Sequence, residues 1–294
     1  MAAWTYRQRM GARRGPAIAL IVLCAVLGFA VAGAAGTAVA GRSAAVAAGA
    51  PDKPYRVGVR TLDLARGPDR PLPTTVWFPV AANRVAQGRH PLVLFSHGLA
   101  GAPEHFAGLA NQWAAAGFVV AAPAYPHTRA GVPLRRADLR HQPADATFVL
   151  RAVTGLAAPD PLAGHIDGGR VAAVGFSAGA YTTMGLFAPG HDPGLRAGVV
   201  ISGREAPGRF GGAPVPMLFV HGDRDRVVPI ASDRLAYAHV PWPKRFVTLP
   251  GRGHGEFLRP GGPMYAEVSA LILEFLRDRL YGHVPAPAPR TVTA

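Results

Sequence analysis

The chain has 294 residues, 49% of them apolar, with 36 glycines, 29 prolines and a single cysteine. Its formal charge is +14 and comes almost wholly from arginine, since only Lys53 and Lys244 are lysines. The length suits one large domain, the lone cysteine excludes an intrachain disulfide, and scattered arginines without a nucleic-acid motif exclude a nucleic-acid partner, leaving at most weak association with anionic surfaces.

The N-terminus reads as an address. Arg7, Arg9, Arg13 and Arg14 form a basic segment without acidic residues, and the apolar run "LIVLCAVLGF" follows from Leu20 to Phe29. Small residues then lead to Ala38-Val39-Ala40, an A-x-A cleavage pattern. This is the order of a secretory signal over residues 1–40. The alternative is an uncleaved membrane anchor, because Ala17 to Ala40 is uncharged and just long enough to span a bilayer. Both readings keep the basic flank inside and put the rest of the chain outside. Cleavage removes Cys24, and with it thiolate catalysis and cysteine-ligated metal. Leu23 stands where a lipidation site needs a small residue. Residues 41–54 read as a small-residue linker.

The first regular elements are "YRVGVRTLDL" (Tyr55 to Leu64) and "LPTTVWFPV" (Leu72 to Val80). Both alternate enough to predict antiparallel strands at a sheet edge. "PLVLFSHG" (Pro91 to Gly98) is a continuous apolar run, as in a strand buried on both faces. A helix is predicted from Glu104 to Ala116, a strand from Phe118 to Ala122, and a helix over 143–155. Arg170 to Gly175 predicts a strand, Ala178 to Phe187 a helix, and Ala197 to Ile201 a strand. Met217 to His221 predicts a strand, Ile230 to His239 a helix, Arg245 to Leu249 a strand, and Met264 to Tyr281 an amphipathic helix. The alternation predicts an α/β fold with one mostly parallel sheet of about eight strands and helices on both faces. The connection from Ile201 to Met217 has no room for a large helical lid. Residues 283–294 are Pro/Ala-rich and read as a disordered tail.

Four motifs fall at the carboxyl ends of predicted strands, where open α/β sheets bind ligands. Gly175-Phe176-Ser177-Ala178-Gly179 has the G-x-S-x-G form, in which glycines relieve crowding around a strained nucleophile. "HGDRDRVVP" (His221 to Pro229) supplies a carboxylate to orient a histidine, with Asp225 the first choice and Asp223 the second. "PGRGHGEF" (Pro250 to Phe257) supplies His254, in a loop free to reach the serine, with the side chain suited to proton shuttling near neutrality. Most of the other ten histidines read as surface. "FSHGLAG" (Phe95 to Gly101) can lend the amide of Leu99 to an oxyanion, with the amide of Ala178 as second donor. His97 reads as a loop-fixing residue. Tyr125, His127, Phe176 and Phe257 are candidates to line the substrate pocket, with core packing the competing reading for Phe176.

In the order oxyanion loop, Ser, Asp, His, these motifs resemble the α/β-hydrolase family over about residues 55–282, the expected catalytic domain. The resemblance implies Ser177 as nucleophile, His254 as base and then acid, and Asp225 as orienter. Through "GFVVAAPAYPHT" and "GDRDRVVP" the chain is most similar to secreted bacterial esterases of the dienelactone-hydrolase-like and cutinase-like (polyester hydrolase) groups. Through "FSHGLAG" it also resembles platelet-activating-factor acetylhydrolases. Those place the acid after the strand that ends here at Ile201, where this chain has Ser202-Gly203, with Glu205 the nearest carboxylate. The expectation is a secreted, monomeric serine hydrolase of small or polymeric carboxylic esters, needing no metal or organic cofactor. Peptidase, thioesterase or acyltransferase chemistry on the same triad is the alternative, and a non-catalytic binding protein on this fold a further one.

Overall fold

The structure is a computed structural model that describes residues 47–204 and 208–282. The expected signal or anchor, the first part of the linker, Glu205 and the Pro/Ala-rich tail lie outside the described residues. Nine strands form one sheet: β1 (Arg56–Ala65), β2 (Pro71–Ala81), β3 (Arg84–Val85), β4 (His90–Ser96), β5 (Val119–Pro123), β6 (Ile166–Phe176), β7 (Leu195–Ile201), β8 (Met217–Gly222) and β9 (Lys244–Leu249). The order across it is β1-β2-β5-β4-β6-β7-β8-β9, with the two-residue β3 paired to β2. β1, β2 and β3 pair antiparallel and β2 meets β5 antiparallel; from β5 to β9 every neighbour is parallel. The expected sheet is thus present, with β3 too short to leave a periodic signal.

Five α-helices cover the sheet: α1 (Ala107–Ala115), α2 (Gln142–Thr154), α3 (Ala178–Gly185), α4 (Ile230–His239) and α5 (Tyr265–Tyr281). The predicted helix at 104–116 begins as a 3₁₀ turn over Pro103–Phe106, where Pro103 fits the first turn because it has no amide to lose. A second 3₁₀ segment, Arg136–His141, leads into α2. Side chains alternate between two cores, as the two-residue period of a strand requires. Leu92, Leu94, Val171 and Ala173 pack with Val149, Leu150 and Met184 from α2 and α3. Val93, Phe95, Ala172 and Val174 pack with Leu109, Trp113, Ile272 and Leu276 from α1 and α5. Each such large side chain, once buried, contributes about 1.5–3 kcal/mol.

The connection from β4 to β5 runs to one side of β4, and the chain then crosses to β6 on the other side. Right-handed crossovers in opposite directions put α1 and α2 on opposite faces. The sheet therefore switches direction between β4 and β6, and a crevice opens above their carboxyl ends.

Two polar clusters pin the periphery. In the β1–β2 turn, Arg70 Nη1 and Nη2 donate to Asp138 at 2.8 and 3.0 Å, and Nε donates to Asp145 Oδ1 at 2.8 Å. Arg70 Nη2 also bonds Asp145 Oδ2, and Arg66 Nε reaches Asp145 Oδ1 at 2.7 Å. Asp145 is fully buried on α2, so the turn clamps the start of that helix. At the amino end of the parallel strands, Arg170 donates to Asp167, to Ala48 O and Arg89 O, and to Leu280 O at the end of α5. Ala47 bridges Arg89, and the Tyr55 amide donates to Ala115 O. The second half of the segment expected as a linker is therefore bonded to the domain, because its backbone finds partners at the amino ends of the central strands.

Candidate active site

Ser177 stands between the last residue of β6 and the first of α3, with φ 55° and ψ −117°. That backbone costs of order 1–3 kcal/mol for a non-glycine residue and persists only when its surroundings force it. Here they do. A β-carbon on Gly179 would lie 1.9 Å from Ser96 O, and one on Gly175 would lie 2.1 Å from Gly179 O. Only with glycine at both positions can the first turn of α3 rest directly on the ends of β4 and β6. The Ser177 amide donates to Ile201 O at 2.9 Å and its carbonyl accepts from Ala180 at 3.0 Å, which fixes the elbow from both sides.

His254 and Asp225 meet this serine. His254 Nε2 is 2.9 Å from Ser177 Oγ, and its Nδ1 is 2.6 Å from Asp225 Oδ2. An ionised carboxylate only accepts, so Nδ1 carries the hydrogen and Nε2 is left to accept from the serine hydroxyl. Asp225 Oδ1 accepts from the amides of Val227 and Val228, each at 2.8 Å. Asp225 is buried, and the His254 side chain is 16% exposed, enough for a substrate to reach it.

The loops that carry these two residues are stitched together. The Asp223 amide donates to Leu249 O and the Arg224 amide to Arg252 O, while Asp223 Oδ1 accepts from the Gly251 amide at 2.7 Å. Asp223 is thus exposed and braces the histidine loop, and Asp225 is the carboxylate that faces His254. Phe176 packs against His254 with ring centroids 5.0 Å apart, and Phe106 stacks behind it at 5.8 Å. Gly255, at φ 104°, would drive a β-carbon to 2.6 Å from the Phe176 ring. Phe106 belongs to this wall although nothing in its sequence context marks it.

The loop after β4 closes the other side. A β-carbon on Gly98 would lie 3.2 Å from Ser177 Cβ, so the loop touches the serine. It turns tightly, with the Gly101 amide bonded to Gly98 O and Ala100 at φ 57° bonded to Thr128 O. His97 holds it: Nδ1–H donates to Gly98 O at 2.7 Å, and Nε2 accepts from the Tyr125 amide at 3.2 Å. Burial pushes the His97 pKa down to about 4, so the ring is neutral, as those two bonds require. The amide of half-buried Leu99 and that of Ala178, which opens α3, have no hydrogen-bond acceptor among the described residues. Helix N-terminal amides of that kind attract developing negative charge.

Two expected pocket residues belong elsewhere. Tyr125 is fully buried in the α2/α3 core, with its hydroxyl 2.8 Å from Ser96 Oγ. Phe257 is fully buried beneath α5. Each follows a strand, but the local backbone turns its ring inward, where burial of a large apolar surface outweighs any gain at the cleft. His127 is half-buried in the loop after β5, where its carbonyl accepts from the Arg135 amide, and among the described residues no hydrogen bond joins it to Ser177 or His254. Three of the other histidines, His90, His97 and His221, are buried rather than on the surface.

The strand order, the antiparallel edge, the flanking helices and the strained serine elbow together form the α/β-hydrolase fold. The family described as "Platelet-activating factor acetylhydrolase, isoform II" matches residues 73–137. That stretch runs from β2 through the loop at Gly98 to the 3₁₀ segment before α2, and it stops short of Ser177, Asp225 and His254. No curated protein matches the chain.

Proposed function

Taking the chain as the α/β-hydrolase that its fold makes it, we propose that it is a serine hydrolase of carboxylic esters. The observation that carries this reading is the unbroken chain Ser177 Oγ, His254 Nε2, Nδ1, Asp225 Oδ2, with spacings of 2.9 and 2.6 Å. In the proposed reaction His254 takes the serine proton while Oγ attacks the ester carbonyl. The tetrahedral oxyanion settles against the amides of Leu99 and Ala178, each such donor being worth on the order of 10²–10³ in rate. The imidazolium, stabilised by Asp225, then protonates the departing alcohol. Water, activated by the same histidine, releases the acid from Ser177.

The acetylhydrolase description of the matched family supports a short acyl group. The wall of Phe176 and Phe106 beside His254 gives the reacting ester an apolar flank. The basic and apolar N-terminal segment supports an exported enzyme, whether released or anchored. The test is hydrolysis of p-nitrophenyl esters from acetate to decanoate by the protein and by Ser177→Ala. We expect turnover that is fastest on the shortest chains and lost, by at least about 10³-fold, in the variant. No turnover by the wild type, or full turnover by Ser177→Ala, sinks the reading. A peptide and thioester panel beside the esters separates other acyl-transfer chemistry on the same residues.

A further inference from the structure

Behind the three residues lies a second histidine–carboxylate pair that the reaction leaves unused. His221 is on β8 and Asp233 in the first turn of α4, and both are 0% exposed. His221 Nδ1 is 2.8 Å from Asp233 Oδ2. Its Nε2 is 2.9 Å from Val228 O and 3.2 Å from Asp225 Oδ2. The five side chains Asp233, His221, Asp225, His254 and Ser177 therefore form one chain from helix α4 through the sheet to the cleft.

What each partner can do fixes the protons. Val228 O is a carbonyl and only accepts, so Nε2 carries a hydrogen. The short contact between Nδ1 and Oδ2 holds a second hydrogen, on nitrogen if Asp233 is ionised and on oxygen if it is not. In either case the pair is neutral overall and its Nε2–H donates to Val228 O, with Asp225 Oδ2 3.2 Å from the same nitrogen. Burial raises Asp233 above the ordinary carboxylate value. Burial opposes the charge on His221, but its bond to Asp233, the nearby carboxylate charges and the bond to Val228 O outweigh this and raise its pKa. Both shifts keep the shared proton in place. The charged groups that bear on His221 are Asp233 from α4 and Asp225 from the loop after β8; β9 sets the uncharged Thr248 opposite it.

Asp225 Oδ1 accepts from Val227 and Val228 and Oδ2 accepts from His254, while His221 Nε2 lies within ion-pair distance of Oδ2. Resting on the serine-hydrolase reading, we propose that His221, held by Asp233, is a positioning residue for Asp225. Its Nε2–H ties the carbonyl of Val228, whose own amide donates to Asp225, and sets the positive edge of the ring beside Oδ2. The carboxylate plane then stays aligned with His254 while that ring gains and loses a proton. A strand interior needs no histidine for packing, and an apolar residue there avoids the cost of burying two polar groups. The loop bearing Asp225 is where that cost is recovered.

The test uses the full chain and three substitutions. In His221→Gln the amide nitrogen reaches the place of Nε2 and can still donate to Val228 O, beside Asp225. In His221→Asn the shorter side chain reaches only the place of Nδ1. In Asp233→Asn the new amide donates to Nδ1 and so keeps the Nε2–H tautomer. On p-nitrophenyl acetate we expect His221→Asn to lower kcat on the order of 10- to 100-fold, with KM nearly unchanged. Asp225, without the positive edge of that ring beside Oδ2, then holds the His254 proton more tightly, so the acid limb of kcat/KM moves to higher pH. His221→Gln recovers most of the loss and the shift, and Asp233→Asn falls well short of the His221→Asn effect. Equal losses in Gln and Asn, or none in either, overturn the proposal.

A second readout needs no turnover. The low-field proton resonance of the His254 Nδ1–H···Asp225 bond should move in His221→Asn and stay in His221→Gln and Asp233→Asn. A resonance that ignores the whole series overturns the proposal even if the wild type hydrolyses no ester, which is the separate failure of the serine-hydrolase reading. If His221→Asn does not fold, comparing Asp233→Asn with Asp233→Leu asks the same question, since leucine leaves Nδ1 without a donor.

Discussion

Gly179 shows how much a single hydrogen atom decides. Its α-carbon sits where any β-carbon would meet Ser96 O at 1.9 Å and His97 O at 2.7 Å, and both are backbone that cannot turn away. Gly179→Ala must lift the first turn of α3 off β4. Overpacking of this kind costs about 1–3 kcal/mol, and a displacement of the serine by about 1 Å costs on the order of 10² in rate. We therefore expect a soluble variant with kcat down about 100-fold and a modestly lower urea midpoint; unchanged kcat would show that the elbow does not need this contact. Ser177, Asp225 and His254 are legible in the sequence because each follows an apolar run and sits amid glycine or turn chemistry. Tyr125 and Phe257 are misread for a definite reason. An aromatic just past a strand can face cleft or core, and the choice depends on backbone turns that residue types do not encode. His221 carries no role in the sequence reading, because its partners Asp233 and Val228 come from a helix and a loop that only the fold brings to it.

At the scale of elements, the central strands and most helices are legible because apolar runs and amphipathic periods are long enough to average out local noise. The 3₁₀ segment Arg136–His141 is not, since six residues carry no period, and its place is set by an ion cluster instead. Arg70 joins the β1–β2 turn to Asp138 in that segment and to buried Asp145 on α2. From α2, Gln142 bonds Thr182 of α3, so the edge hairpin is linked to the helix behind the serine. Removing one partner of a buried ion cluster leaves charges without compensation, typically at about 3–5 kcal/mol. Arg70→Ala should lower unfolding stability by that amount in urea titrations, with little change in kcat for the fraction that remains folded. A loss under about 1 kcal/mol would mean the cluster is a solvated surface pairing.

Over the whole molecule, buried histidines set the response to acid. Burial holds His97 neutral down to about pH 4 and lowers His90 as well. As pH falls from about 6.5, the unfolded chain takes up protons that the folded chain refuses, and each such histidine removes up to about 1.4 kcal/mol of stability per pH unit. His221 is raised instead, so its contribution is complete below about pH 6.5 and flat in this window. Asp138 and Asp167 are pushed up by burial but held lower still by Arg70 and Arg170, so both sit below the ordinary carboxylate value. Their stabilisation is whole above about pH 4 and disappears only as pH falls through those depressed values. Urea midpoints should therefore drop steadily from pH 6.5 to 4, then fall again below 4. His97→Asn, which keeps a donor for Gly98 O, should flatten the first slope; a slope identical to the wild type would locate the acid sensitivity elsewhere.

Arg170 has a consequence for how the molecule can be rewired. One nitrogen of its guanidinium reaches Ala48 O at 3.0 Å and Leu280 O at 3.4 Å. The described chain thus enters and leaves at nearly the same point, beside the amino ends of the parallel strands and at the opposite end of them from Ser177. A short bridge between residues 282 and 47 closes the polypeptide into a ring, and new ends can then be opened in an exposed surface turn such as that at Gly190. A carrier, bead or fusion partner attached at residue 47 or 282 sits at the amino ends of the strands and leaves the mouth of the cleft clear.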